Sequence, residues 1–144
     1  MKAKIASLPD IVAFCCAHSS YQAADTAGSM RISYPENVRV IRVPCAGRVD
    51  VLHILKAFEK GADGVLVLGC HEEACRHLSG NIRARNRVQK VNTLLQEIGI
   101  DEKRVEMFTL APDQGFRFAH IVSEMSGRIK ELGPSPVKPM LKQR

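Results

Sequence analysis

Five cysteines, Cys15, Cys16, Cys45, Cys70 and Cys75, are the residues of this 144-residue chain best suited to chemistry. Cys70 and Cys75 fall in GCHEEACRHLSGN, Gly69 to Asn81, directly after the apolar run GVLVL. The amino end, MKAKIASLPD, lacks the apolar core of an export signal, which points to the cytoplasm. An odd number of thiols in that compartment suggests ligands or redox groups rather than a disulfide framework. Thiolate-rich sets select zinc, copper(I) or iron-sulfur centres. A structural zinc site uses tight Cys-x-x-Cys knuckles in a domain too small to fold without metal, and this chain has neither feature. The looser Cys70-x4-Cys75, with Cys45 and Cys16 far away in sequence, suits a two-iron cluster, whose four ligands are divided between two irons. The adjacent pair Cys15-Cys16 does not reproduce the spacing of a dithiol exchange enzyme. His71, inside the same motif, is a further candidate ligand or hydrogen-bond donor.

The elements that must position these thiols follow from hydrophobic period. Ile11 to Cys16 (IVAFCC) is a short apolar run of the kind a strand buried on both faces shows, and SYQAADTAGSM after it has the small and polar residues of a helix start. Asn37 to Pro44 is rich in β-branched residues but carries Arg39 and Arg42, as an edge strand does. Val49, Leu52, Ile54, Leu55 and Phe58 give a helical spacing that stops at Gly61. Gly64 to Leu68 reads as a central strand, and the stretch from about Arg83 to Ile98 lines up Val88, Val91, Leu94, Leu95 and Ile98 on one helical face. Arg104 to Leu110 forms a fourth strand, followed by a helix with Phe116, Ala119, Val122, Met125 and Ile129 on one side.

Four strand-helix units predict a single α/β domain over residues 1–132. The expected architecture is a three-layer, flavodoxin-like domain with a four-stranded parallel sheet in the order 2-1-3-4. The Pro-rich, basic residues 133–144 are set apart as an extended tail. In such a sheet the strand carboxyl ends collect ligands, and all five cysteines map there. Successive strand residues point to opposite faces, so only one of Cys15 and Cys16 is expected to face a common site. The preferred ligand set is therefore Cys16, Cys45, Cys70 and Cys75, with Cys15 as the spare or the alternative to its neighbour.

Charge and composition narrow the partners. The formal charge is +6, from 21 Lys and Arg against 15 Asp and Glu, but Trp is absent and Tyr and Phe are few, so base-stacking surfaces are not indicated and no nucleic-acid partner is expected. Arg76, Arg83, Arg85, Arg87 and Lys90 instead suggest docking on an acidic protein surface, with the C-terminal tail as a second contact. No run reaches the length of a membrane span. CAHSSYQAAD lacks a glycine-rich phosphate cradle, which argues against a bound flavin. A docking module with a zinc site or inert cysteines stays as the alternative to an electron relay.

The segments FCCAHSSYQAADTAG, ISYPENVRVIRVPCAGRVD, AFEKGADGVLVLGCHEEACRHLSGN and LLQEIGIDEKRVEMFTLAPDQGFRFA, taken in order, resemble the delta-subunit family of methyl-viologen-reducing hydrogenase across nearly the whole chain. The resemblance implies a small electron-transfer subunit with a 2Fe-2S cluster. It also implies a relay between a partner oxidoreductase and the flavin subunit of a heterodisulfide-reductase-type complex. Two departures stand out. Ser19 occupies a position where many members carry a further cysteine, and HEEACRH replaces a more usual Gly-Asp before the last cysteine and Tyr after it.

Overall fold

The computed structural model describes residues 8–138. β1 (Ile11–Cys16) leads to α1 (Ser20–Ser29), β2 (Val38–Val43) to α2 (Val51–Glu59), β3 (Gly64–Gly69) to α3 (Gly80–Glu97), and β4 (Val105–Thr109) to α4 (Gly115–Leu132). Every strand pairing is parallel and the order is β2-β1-β3-β4, the flavodoxin-like arrangement expected from the alternating pattern. Among the described residues no helix is long and apolar enough to cross a membrane.

The two-residue period of the strands divides the core into two layers. Ile11, Ala13 and Cys15 of β1, with Leu66 and Leu68 of β3, pack against Ala23 and Ala27 of α1 and against Phe118, Val122, Met125 and Ile129 of α4. Phe14 of β1, with Val65 and Val67 of β3, packs on the opposite side against Ile54 and Phe58 of α2 and Val88, Val91 and Leu95 of α3. β3 is buried along its whole length, whereas β2 at the sheet edge leaves Arg39 and Arg42 exposed. Truncating a side chain such as the fully buried Phe118 to alanine would cost about 3–5 kcal/mol.

Three residues assigned to apolar faces from their spacing are outside. Leu52, Ile98 and Phe116 are 71%, 66% and 67% exposed. Leu52 and Phe116 lie two residues before Ile54 and Phe118, about 200° round the helix from the buried stripe. Ile98 is the cap residue beyond α3, where the chain turns through Gly99 at φ 81° and hands its place to the buried Ile100.

Residues 133–138, which their composition assigned to the tail, pack against the domain. Asp63, 2% exposed, accepts from the backbone N–H groups of Asp10 (2.9 Å) and Ser135 (2.8 Å) and from Lys138 Nζ (2.5 Å). The buried Arg104 donates to the carbonyls of Asp63 (3.0 Å) and Gly133 (2.9 Å). A carboxylate withdrawn from water needs such partners, and this segment supplies two of them. Residues 139–144, the remainder of the expected tail contact, lie outside the described residues.

Candidate metal centre at the carboxyl ends of the strands

Cys16, Cys45, Cys70 and Cys75 form one buried cluster. Cys16 ends β1, Cys45 follows β2 after Pro44, and Cys70 follows β3 directly, so three adjacent strands deliver three thiols to one edge of the sheet. Cys75 arrives from the loop between β3 and α3, after a short 3-10 turn at Glu72–Ala74. The sulfurs of Cys16 and Cys70 are 3.6 Å apart, and no cysteine is disulfide-bonded. Cys15 lies elsewhere: it points to the opposite face of the sheet, fully buried in the layer of α1 and α4.

Local structure gives each thiol a distinct environment. Burial pulls the Cys75 thiol upward, but the backbone N–H groups of Asn81, His77 and Gly80, together with the Cys45 thiol, outweigh it and hold Cys75 below its ordinary value. Those amides belong to the loop and first turn of α3, an 18-residue helix whose amino end carries unpaired donors and partial positive charge. Cys45 is raised by burial, with the Gly47 N–H (3.4 Å from its sulfur) opposing and Cys75 and Cys16 adding to the rise. Cys70 is pushed up to about 11, chiefly by burial, with the Ser19 hydroxyl acting against it. Burial likewise pushes Cys15 up to about 12, the response of a thiol inside an apolar layer.

Close approach demands glycine at two points. A Cβ on Gly80 would overlap Cys45 Sγ and stand 3.4 Å from Cys75 Sγ, and one on Gly47 would stand 2.8 Å from the Gly80 Cα. The loops after β2 and before α3 therefore meet backbone to backbone beside the sulfurs.

Two polar side chains fix those loops, a role that neither signalled in the sequence. Asn81, 1% exposed, donates to the carbonyls of Cys70 (3.1 Å) and His71 (3.0 Å). Arg87 donates to the carbonyls of Gly47 and, at 3.2 Å, Val49. Arg87 thus turns inward onto the Cys45 loop, although its place in a basic run marked it for a partner. Arg85 pairs with Glu72 on the surface. Arg76, Arg83 and Lys90 are exposed, and Arg83 and Arg48 line a cleft of about 550 Å³ that opens onto Cys45, Gly80 and His77. His71 is exposed and 3.1 Å from the Thr109 hydroxyl, outside the thiol cluster. Another cleft of about 340 Å³, at the outer side of β1 and β2 between Arg39 and Lys60, contains none of the thiols.

The donor set fits an iron-sulfur cluster. Four buried thiols converge, backbone N–H groups point at two of them, and the Gly80 position is held clear of any side chain. Among the described residues no three His, Cys, Asp or Glu side chains are arranged to hold one metal ion.

A parallel α/β sheet with a thiol set on its carboxyl edge defines a class of small domain built around one site. Residues 11–133 match the family model described as methyl-viologen-reducing hydrogenase, delta subunit, and the chain belongs to that family. It is 43% identical over 130 residues to the vhu iron-sulfur subunit of the F420-non-reducing hydrogenase of Methanocaldococcus jannaschii, covering 90% of this chain and 97% of that one. The protein of the same name from Methanopyrus kandleri is 46% identical over 124 residues, 86% of this chain and 94% of its own. A longer relative, a ferredoxin:CoB-CoM heterodisulfide reductase subunit of Methanosarcina mazei, is 40% identical over 126 residues, which are 88% of this chain but 16% of that protein.

Proposed function

We propose that the chain is a cytoplasmic electron-transfer subunit that carries a 2Fe-2S cluster on Cys16, Cys45, Cys70 and Cys75. It would relay electrons between a partner oxidoreductase and the flavin-containing subunit of a heterodisulfide-reductase-type complex. The observation that carries this reading is the convergence of four thiols from three strand ends and one loop, with Cys15 on the other face of the sheet. Two kinds of relative support it. Those of similar length are named as iron-sulfur subunits of hydrogenases, and the heterodisulfide reductase protein of Methanosarcina mazei contains a matching segment within a much longer chain. A domain found both free and joined to a heterodisulfide reductase chain fits a module whose working position is against that chain.

When bound, a 2Fe-2S cluster accepts and releases one electron without a substrate pocket. The residues of this chain act on that exchange by holding charge. The amides of Gly47, Gly80 and Asn81 favour negative charge on the sulfurs they face, and burial opposes it. The amides that hold the Cys75 thiol low favour its thiolate, the form that binds metal. Exposed Arg48 and Arg83 at the mouth of the cleft give an acidic partner a place to dock near Cys45. Arg76 and Lys90 extend the same basic surface.

The test is anaerobic purification followed by iron and sulfide analysis and electron paramagnetic resonance of the reduced protein. Two irons per chain with a two-iron signal support the reading. A colourless protein that binds zinc establishes the docking-module alternative instead.

A further inference from the structure

Ser19 is 2% exposed at the amino-terminal cap of α1, yet its side chain makes no capping hydrogen bond. Its Oγ has no hydrogen-bond partner among the described residues. A buried hydroxyl left unpaired costs about 1–3 kcal/mol, and folded chains rarely leave one without a use. The next residue shows the contrast: the fully buried Ser20 donates to the Leu68 carbonyl at 2.7 Å. The Ser19 N–H donates to the Cys16 carbonyl at 3.2 Å, which folds the turn after β1 back toward the thiol cluster. That turn holds Ser19 against Cys16, whose sulfur is 3.6 Å from the Cys70 sulfur, and so sets the hydroxyl on the Cys70 side of the cluster.

We propose that Ser19 donates its hydroxyl hydrogen to the Cys70 sulfur when that sulfur is a thiolate ligand, and thereby raises the reduction potential of the cluster. The inference rests on the cluster reading above. A protonated thiol is a weak acceptor, whereas a metal-bound thiolate is a strong one, so the hydroxyl gains a full hydrogen bond to Cys70 in the loaded protein. A hydrogen bond to a ligand sulfur stabilises the reduced state, which carries one more negative charge, over the oxidised state. Ser19 tunes the site through Cys70 and is not itself a ligand.

The experiment compares wild type, Ser19→Ala and Ser19→Thr, each as the full chain purified without oxygen. Iron content, midpoint potential at fixed pH, and melting temperature of the metal-free form are measured. Ser19→Ala is expected to hold the same iron at a more negative potential. Ser19→Thr, which keeps the hydroxyl, should stay near the wild-type value. Metal-free Ser19→Ala should melt no lower than wild type, because no cap bond is removed. Iron-replete Ser19→Ala at the wild-type potential overturns the inference alone. Loss of iron in Ser19→Ala but not in Ser19→Thr also overturns it, by making the oxygen a ligand. A wild-type chain that takes up no iron overturns the cluster reading, and this inference with it.

Discussion

Cys45 Sγ lies so close to Gly80 that a Cβ on that glycine would overlap the sulfur. Gly80 opens α3, where alanine would ordinarily improve helix stability by up to about 1 kcal/mol. Gly80→Ala is nevertheless expected to displace Cys45 and reduce iron uptake several-fold. Comparing iron per chain with the melting temperature of the metal-free protein separates the two effects. Full iron in this variant would show that Cys45 does not need its present position.

The cysteines should divide by face. Serine at Cys16, Cys45, Cys70 or Cys75 is expected to abolish or badly destabilise the cluster, because no other thiol shares their side of the sheet edge. Cys15→Ser should keep the iron while lowering stability by about 1–3 kcal/mol, since it places a hydroxyl in the layer packed by α1 and α4. Iron analysis and the spectrum of each reduced variant check this. A full two-iron signal retained in the Cys45, Cys70 and Cys75 variants would sink the site.

Two arginines of one basic run should behave differently. Arg83→Glu is expected to slow association with the proposed heterodisulfide-reductase-type partner, most at low salt, and to leave the iron in place. Arg87→Ala should loosen the Gly47–Val49 loop and speed iron loss to a chelator, with little change in the salt dependence of association. Association kinetics across ionic strength and chelation rates give the two readouts. Identical behaviour of the variants would contradict the division.

The clamp on residues 133–138 should depend on pH from both sides. Burial alone would raise Asp63, but Lys138 and the amides of Ser135 and Asp10 hold it below the ordinary 3.8, so its contribution is complete above that value and is lost as pH falls through the lower folded value. Burial would lower Lys138, but Asp63 and Asp10 raise it above 10.5, so its contribution is complete below that value and is lost as pH rises through the higher folded one. Asp63→Asn is expected to cost about 2 kcal/mol at neutral pH, with the difference from wild type shrinking as pH falls through the lowered folded value. Thermal unfolding at several pH values measures it. A difference that stays constant down to the acid limit would remove Asp63 from that role.

Much of the scaffold was legible because strand and helix periods report burial directly. IVAFCC and GVLVL are apolar without interruption, as strands covered on both faces must be, and Arg39 and Arg42 marked the edge. The alternation of β1 also anticipated that Cys15 and Cys16 would part company, since one residue of strand is one change of face. Helix faces were less exact: Leu52 and Phe116 kept an apolar type on the solvent side because nothing local forbids a single exposed hydrophobe.

The rest depended on what the fold brings near. Gly80 reads as a loop glycine until Cys45, distant in sequence, is placed against it, and Arg87 reads as a docking charge until the Gly47 carbonyl appears beneath it. Asp63 and Lys138 are far apart in the chain, and only packing at the amino ends of the strands makes them partners. By itself the sequence determined the order of elements, the sheet topology and the edge to which the thiols run, because these follow from periodicity and chain direction. Only the tertiary structure decided which backbone amides face Cys75, which loop Arg87 holds and where the Ser19 hydroxyl is left without a partner among the described residues. Those contacts join residues whose separation along the chain carries no local signal, so burial and hydrogen bonding across elements select them.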